Sequence, residues 1–184
     1  MILAQTISIM SGFLRWRDMA KIDFKGIDEY SKLIAALGNE SEEIIESAVY
    51  KGAALVADEI KQGLKTLPIE EGTNNLPPVG DAQHKLTGVS RRQKADLLDS
   101  FGLAPIENDG GYIQTKAGVD GYGSIPTKKY PQGVPNVMLM RSIESGTTFR
   151  QKNPIFRKAT NRARKRAEQA MGNEIDEQLK QRFK

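Results

Sequence analysis

The sequence predicts an α+β chain: a long N-terminal helix, a long C-terminal helix, a small antiparallel β-sheet and two long flexible loops. Three observations carry this. Between Asn39 and Pro68 the apolar residues recur at helical spacing without a break. "NDGG" (Asn108–Gly111) separates two short stretches of strand character, as a hairpin turn does. From Pro154 onward a second helical pattern runs nearly to the end of the chain.

Composition sets the frame. The 184 residues suffice for one ordinary domain burying roughly 70% of its unfolded surface. Apolar content of 39% and charged content of 27% are those of a globular chain. Cysteine is absent, which excludes disulfides and thiolate zinc sites and fits a reducing compartment. No apolar run approaches the roughly 20 residues of a membrane span, so no membrane partner is expected. The net charge of +4 is uneven: eight basic residues and no acidic one lie between Arg150 and Arg166, leaving the remainder net acidic.

Residues 1–18 are set apart as an N-terminal extension or translated leader, and residues 19–184 read as a single α+β domain. "MILAQTISIMSGFLRWRD" lacks a basic segment ahead of its apolar part, which argues against a signal peptide. Trp16–Arg17 can be encoded with a ribosome-binding sequence just ahead of the Met19 codon. Met19 is therefore the expected start, against the competing reading of an arm that orders on a partner.

The elements follow in order. "FKGIDEYSKLIAALG" places Ile27, Tyr30, Leu33, Ile34 and Leu37 at helical spacing, with Gly38 as a stop. The next helix has Asn39 and Glu42 as a capping box and Pro68 as its end. Its stripe runs Ile45, Val49, Gly52, Val56, Ile60, Gly63, Leu67. Each glycine there costs about 1 kcal/mol of helix propensity, so close approach of another backbone is expected on that face. Residues 68–96 form the first long loop, "DLLDSFG" one or two helical turns, and "FGLAPIE" and "GYIQTKAGVD" short strands. "GYGSIPTKKYPQGVPN" is the second long loop. "VMLMRSIESGT" is a continuous apolar run, read as a strand or a helical turn leading into an edge strand.

The last helix is expected to begin near Asn153. Phe156, Ala159, Ala163, Ala167 and Ala170 form a first stripe, and Met171, Ile175, Leu179 and Phe183 a second. Strict i, i+4 spacing rotates a stripe by about 40° per step, and Gly172 sits at the changeover. Two surfaces are therefore expected, the second facing another subunit or following a bend at Gly172. Met171, Ile175, Leu179 and Phe183 are subunit-interface candidates on this ground.

Catalytic chemistry finds no foothold. His84 is the only histidine, lies in a loop and has no partner at motif spacing. The pairs Glu42–Glu43 and Glu70–Glu71 read as ordinary solvent-facing carboxylates. "GVDGYG" is not a dinucleotide fingerprint, because no helix follows it. No catalytic residue, metal ligand or cofactor is expected. The basic residues Arg150, Lys152, Arg157, Lys158, Arg162, Arg164, Lys165 and Arg166 are candidates to face DNA or a partner. Those on the helix spread over its polar arc rather than one ridge, which suits phosphate contact or a solvated face better than base reading. Arg164 and Glu168 can pair at i, i+4.

Three stretches carry a family resemblance: "DFKGIDEYSKLIAALG" opening into the long helix, "LTGVSRRQKADLLDSFGL", and "NVMLMRSIESGTTFRQKNPIFRKA". In this order they resemble the tail-completion, or neck, proteins at the head–tail junction of long-tailed bacteriophages and prophages, over most of 19–171. The match at the last stretch rests on Glu144, Gly146, Thr147, Pro154, Phe156 and Arg157. Ile155 interrupts the usual Pro–Phe pair, Lys158 stands where a second proline is common, and Ser145 replaces an aromatic. The resemblance implies the two long helices packed on a small antiparallel sheet, in a structural protein without catalysis. It implies a ring of copies of the chain, a hexamer, between the head connector and the tail-tube or tail-terminator proteins. DNA would pass through that ring without sequence reading, and assembly would take place in the bacterial cytoplasm on the way to the virion. It adds Glu144, Gly146 and Thr147 to the subunit-interface candidates. The alternative is a DNA-binding accessory protein that uses the basic C-terminal helix non-specifically.

Overall fold

Helix α1 (Glu40–Lys65) carries a run of buried apolar side chains from Ile44 to Leu64 in the computed structural model, which describes residues 20–21 and 40–182. Strand β1 (Ala20–Lys21) precedes it. Helix α2 (Arg91–Asp99), strands β2 (Phe101–Leu103), β3 (Glu107–Asp109), β4 (Tyr112–Gln114) and β5 (Lys116–Val119), helix α3 (Asn136–Ser145) and helix α4 (Ile155–Arg182) follow. The described residues are thus mixed helix and sheet, with small antiparallel strand pairs. The extension 1–18, the helix expected over 27–37, the Asn39 cap and Phe183 lie outside them. Among the described residues no helix is long and apolar enough to cross a membrane. The contacts divide the chain into two compact units. One comprises the described residues up to Asp58, Leu103–Ala117 and those from Thr160 on; the other comprises Glu59–Gly102 and Gly118–Ala159.

In the first unit, α1 begins in acids (Glu40, Glu42, Glu43) that complement the positive end of its dipole. Ile44, Ala48, Val49, Ala53 and Val56 are buried, while Ile45, the first residue of the expected stripe, is only half-buried. The first half of α1 meets the later part of α4 through Glu174. Its carboxylate accepts from Ser47 Oγ at 2.8 Å, Lys51 Nζ at 2.6 Å and Gln178 Nε2 at 3.0 Å. On α4, Ala163, Ala167, Met171 and Ile175 are all at most 1% exposed. This corrects the expectation that Met171 and Ile175 face another subunit: their own chain buries them. The reason is geometric. An i±4n row is inclined to the helix axis, and such inclined ridges are what one helix packs against another, so a drifting stripe needs no second partner. Nor does α4 break at Gly172, where an added Cβ would meet nothing within 4 Å.

The hairpin forms where "NDGG" places it. β3 and β4 pair antiparallel, with Asp109 opposite Tyr112. Gly110 and Gly111 close the loop at φ 62° and 91°, the two positive values that a tight primed turn requires. Asn108 Oδ1 accepts from Gly111 N–H at 2.8 Å, while Asn108 Nδ2 donates to Glu42 on α1. The other strands lie in the order β1-β5-β2, with Ala20 opposite Ala117. Lys116 O accepts from Ala104 N at 2.7 Å beyond the end of β2.

In the second unit, α1 continues through the buried Ile60 and Leu64 to its end at Lys65; Leu67 is buried just beyond it, ahead of Pro68, which has no N–H to donate. Gly63 lies against α4: a Cβ built on it would sit 2.6 Å from Ile155 Cγ2. The close approach expected at the stripe's glycines holds here, made by a side chain rather than a backbone. α2 starts earlier than expected. Ser90 accepts from Gln93 N, and Gln93 Oε1 accepts from Ser90 N, a full capping box inside what read as loop. "VMLMRSIES" is the helix α3, not a strand. Pro135 is its N-cap, and Asn136, Met140 and Ile143 are buried at spacings of four and three. Val137 and Met138 are exposed, so the unbroken apolar run hid a helical period.

Both long loops are tied. Ile69 pairs with Val89 and Leu86 with Arg150. In the second loop, Gly123 N donates to Val134 O at 2.9 Å and Asn136 Nδ2 to Asp120 O at 2.9 Å.

Candidate functional site

The connection from α3 to α4 contains most of the residues singled out in the sequence. α3 ends at Ser145, and Gly146, at φ 74°, turns the chain. Thr147 N donates to Arg150 O at 2.9 Å and Arg150 N to Thr147 O at 3.4 Å, closing a small turn. The chain then runs beside Leu86: Leu86 N donates to Phe149 O at 3.0 Å and Gln151 N to Leu86 O at 2.8 Å. Asn153 N donates to Ile143 O at 2.8 Å, and α4 follows Pro154.

Glu144 spans this connection. Its carboxylate accepts from Phe156 N at 3.0 Å and Arg157 N at 3.2 Å. The first N–H groups of a helix have no intrahelical acceptor, and the N-terminus carries roughly half a positive charge. A carboxylate supplied from α3 satisfies both needs of α4. Phe156 then packs edge-on against Phe101, with centroids 6.0 Å apart. The acid–Gly–Thr–Pro element is therefore a two-helix joint.

No family model, curated protein or solved structure matches the chain.

The predicted site residues separate into three groups. Glu144, Gly146 and Thr147 come together in the joint with Arg150 and Lys152. Arg157, Lys158, Arg162, Arg164, Lys165 and Arg166 are exposed along α4, where Arg164 Nε pairs with Glu168 at 3.0 Å. Met171 and Ile175 are buried, as described above, and Leu179 is half-buried.

Arg150 departs from its expected place. The sequence places it among the cations that face DNA or a partner, yet it is 6% exposed. The Leu86 pairing carries it inward, and one guanidinium nitrogen, Nη1, donates to Gly88 O. Among the described residues its Nε has no hydrogen-bond partner, nor does the buried Thr147 Oγ1. Burial pulls the Arg150 pKa down, partly offset by the charge of Glu70.

Glu70 is likewise not an ordinary solvent-facing carboxylate. It accepts from the Thr87 amide at 3.0 Å and from the Thr87 hydroxyl. Burial pushes its pKa up, but the Thr87 and Gly88 hydrogen bonds and Arg150 outweigh this and hold it below the ordinary value. His84 is exposed and sits 3.5 Å from Asp81. Among the described residues there is no group of three His, Cys, Asp or Glu placed to hold a metal.

The joint also opens onto a shallow hollow of about 330 Å³, lined by Lys85, Gly146, Thr147, Arg150, Gln151 and Lys152, with Ser145 at the end of α3. Sequence reasoning missed Lys85. It lies in the first loop, and only the Leu86–Arg150 pairing brings it to the joint.

Proposed function

We propose that this chain is a structural protein of a bacteriophage neck, forming a ring at the head–tail junction through which DNA passes. The observation that carries the reading is the joint at Glu144. The stretch with the strongest resemblance to tail-completion proteins folds as a helix-to-helix connection, with its acidic residue capping the last helix. Its Gly–Thr turn and proline serve packing, which suits a scaffold better than a catalytic lip.

Further support comes from the exposed cations of α4. They spread over the solvent side of one helix rather than forming one ridge, which suits sequence-independent proximity to DNA. Rings of one chain arise from heterologous contacts that close by rotation. Leu179, half-buried on α4, and the exposed apolar residues Tyr122, Val137 and Met138 remain for such contacts.

The test is to mix the purified chain with purified phage tail tubes and image them by negative stain. Capping of one tube end is expected. A chain that ignores tube ends but retards duplex DNA at low salt favours the accessory DNA-binding reading instead.

A further inference from the structure

The hollow beside the α3–α4 joint is electrostatically unbalanced. Three of its lining residues are cations, Lys85, Arg150 and Lys152, and none is a carboxylate. Arg150 is more than nine-tenths buried, yet among the described residues no carboxylate forms an ion pair with it, and its guanidinium donates to the neutral Gly88 carbonyl. A buried charge is ordinarily paired, because removing it from water costs several kcal/mol. Glu70 supplies some compensating field, but its oxygens are engaged by Thr87. The buried Arg150 Nε and Thr147 Oγ1 also lack partners among the described residues.

Opposing terms are smaller. The C-terminus of α3 presents the equivalent of about half a negative charge and Glu70 a carboxylate acting on Arg150, against three positive side chains. The lining residues carry side chains of the kind that bind an oxyanion: Lys85, Lys152, Arg150, Thr147 and Gln151. The volume lies near the lower end of the range of roughly 300–1,000 Å³ for small-molecule sites. It has room for a phosphate carried on a larger group.

We infer that this hollow binds a phosphate oxyanion, through the exposed Lys85 and Lys152, with the buried Arg150 adding to the positive field. The oxyanion is recognised as such, whether as free inorganic phosphate or as the phosphodiester of a nucleic-acid backbone. The site lies within one chain, so the inference stands or falls separately from ring formation.

The experiment is calorimetric titration of the full chain at constant ionic strength, with inorganic phosphate in one arm and the dinucleoside monophosphate dTpdT in the other. Saturable binding in at least one arm is expected. It should weaken roughly tenfold or more in the double variant Lys85→Ala/Lys152→Ala. Both lysines are exposed, so this variant should melt at the parent's temperature without ligand. Binding of phosphate alone assigns the site to the free ion, and tighter binding of dTpdT assigns it to a backbone phosphodiester. Absence of saturable binding in both arms overturns the inference, as does binding that the double variant leaves unchanged.

Discussion

Replacing Glu144 by alanine leaves the first N–H groups of α4 without their acceptor and removes a negative charge from its positive end. By the usual scale of capping and dipole effects the cost is about 1–2 kcal/mol. Glu144→Gln keeps one carbonyl acceptor and loses only the charge, so about half that loss is expected. Urea midpoints of the two variants check the order. Equal midpoints for parent and Glu144→Ala would show that the cap contributes nothing.

Glu174 offers a second residue-scale test, through pH. Hydrogen bonds from Lys51, Gln178 and Ser47 hold its carboxyl down to about 2, against an ordinary value of 4.5. A lowered folded pKa stabilises the fold above the unfolded pKa, and the contribution disappears as pH falls through the folded value. The parent should therefore exceed Glu174→Gln in urea midpoint at neutral pH. That gap should narrow progressively from about pH 4.5 toward pH 2. A gap constant over this window would remove Glu174 as its source.

At the scale of elements, two helix glycines should respond to alanine with opposite signs. Alanine gains about 1 kcal/mol of helix propensity over glycine. At Gly172 nothing lies within 4 Å of the new Cβ, so Gly172→Ala should be stabilising by about that amount. At Gly63 the Cβ would meet the buried Ile155 at 2.6 Å, and overpacking of about 1–3 kcal/mol should outweigh the propensity gain. Thermal midpoints separate the two. A stabilised Gly63→Ala would mean that Ile155 moves aside without cost.

The same helices show what the letters reveal. α1 was legible because its apolar period is long and unbroken, and the hairpin because "NDGG" admits few other conformations. α4 starts within two residues of the expected Asn153. α3 was not legible, since "VMLM" is apolar on every side and only packing selects the face that is buried. The Ser90–Gln93 capping box was present in the letters but lay inside a stretch dominated by proline and glycine. The hollow was hidden for another reason: Lys85 and Arg150 are distant in sequence, and backbone pairing at Leu86 decides that they meet. Arg150's burial follows from the same pairing and could not be inferred from its place at the head of a basic run.

At the scale of the whole molecule, the basic run divides by environment. Arg150 is internal, Lys152 borders the hollow, and the cations from Arg157 to Arg166 lie exposed on α4. On the proposed neck role these exposed cations would give weak, salt-dependent attraction to DNA. Substituting alanine at Lys158 and Lys165 should therefore reduce DNA retention at low salt without changing subunit association. A loss of association instead would assign these lysines to the subunit interface.

The central claim is assembly of this chain into a closed ring. Its most direct test is the native mass of the purified chain across a concentration series, with negative-stain images of the same samples. A discrete multiple of the 20.4 kDa chain mass, appearing as closed rings, is the expected result. A 20.4 kDa monomer at every concentration, with no ring on the grid, would contradict it.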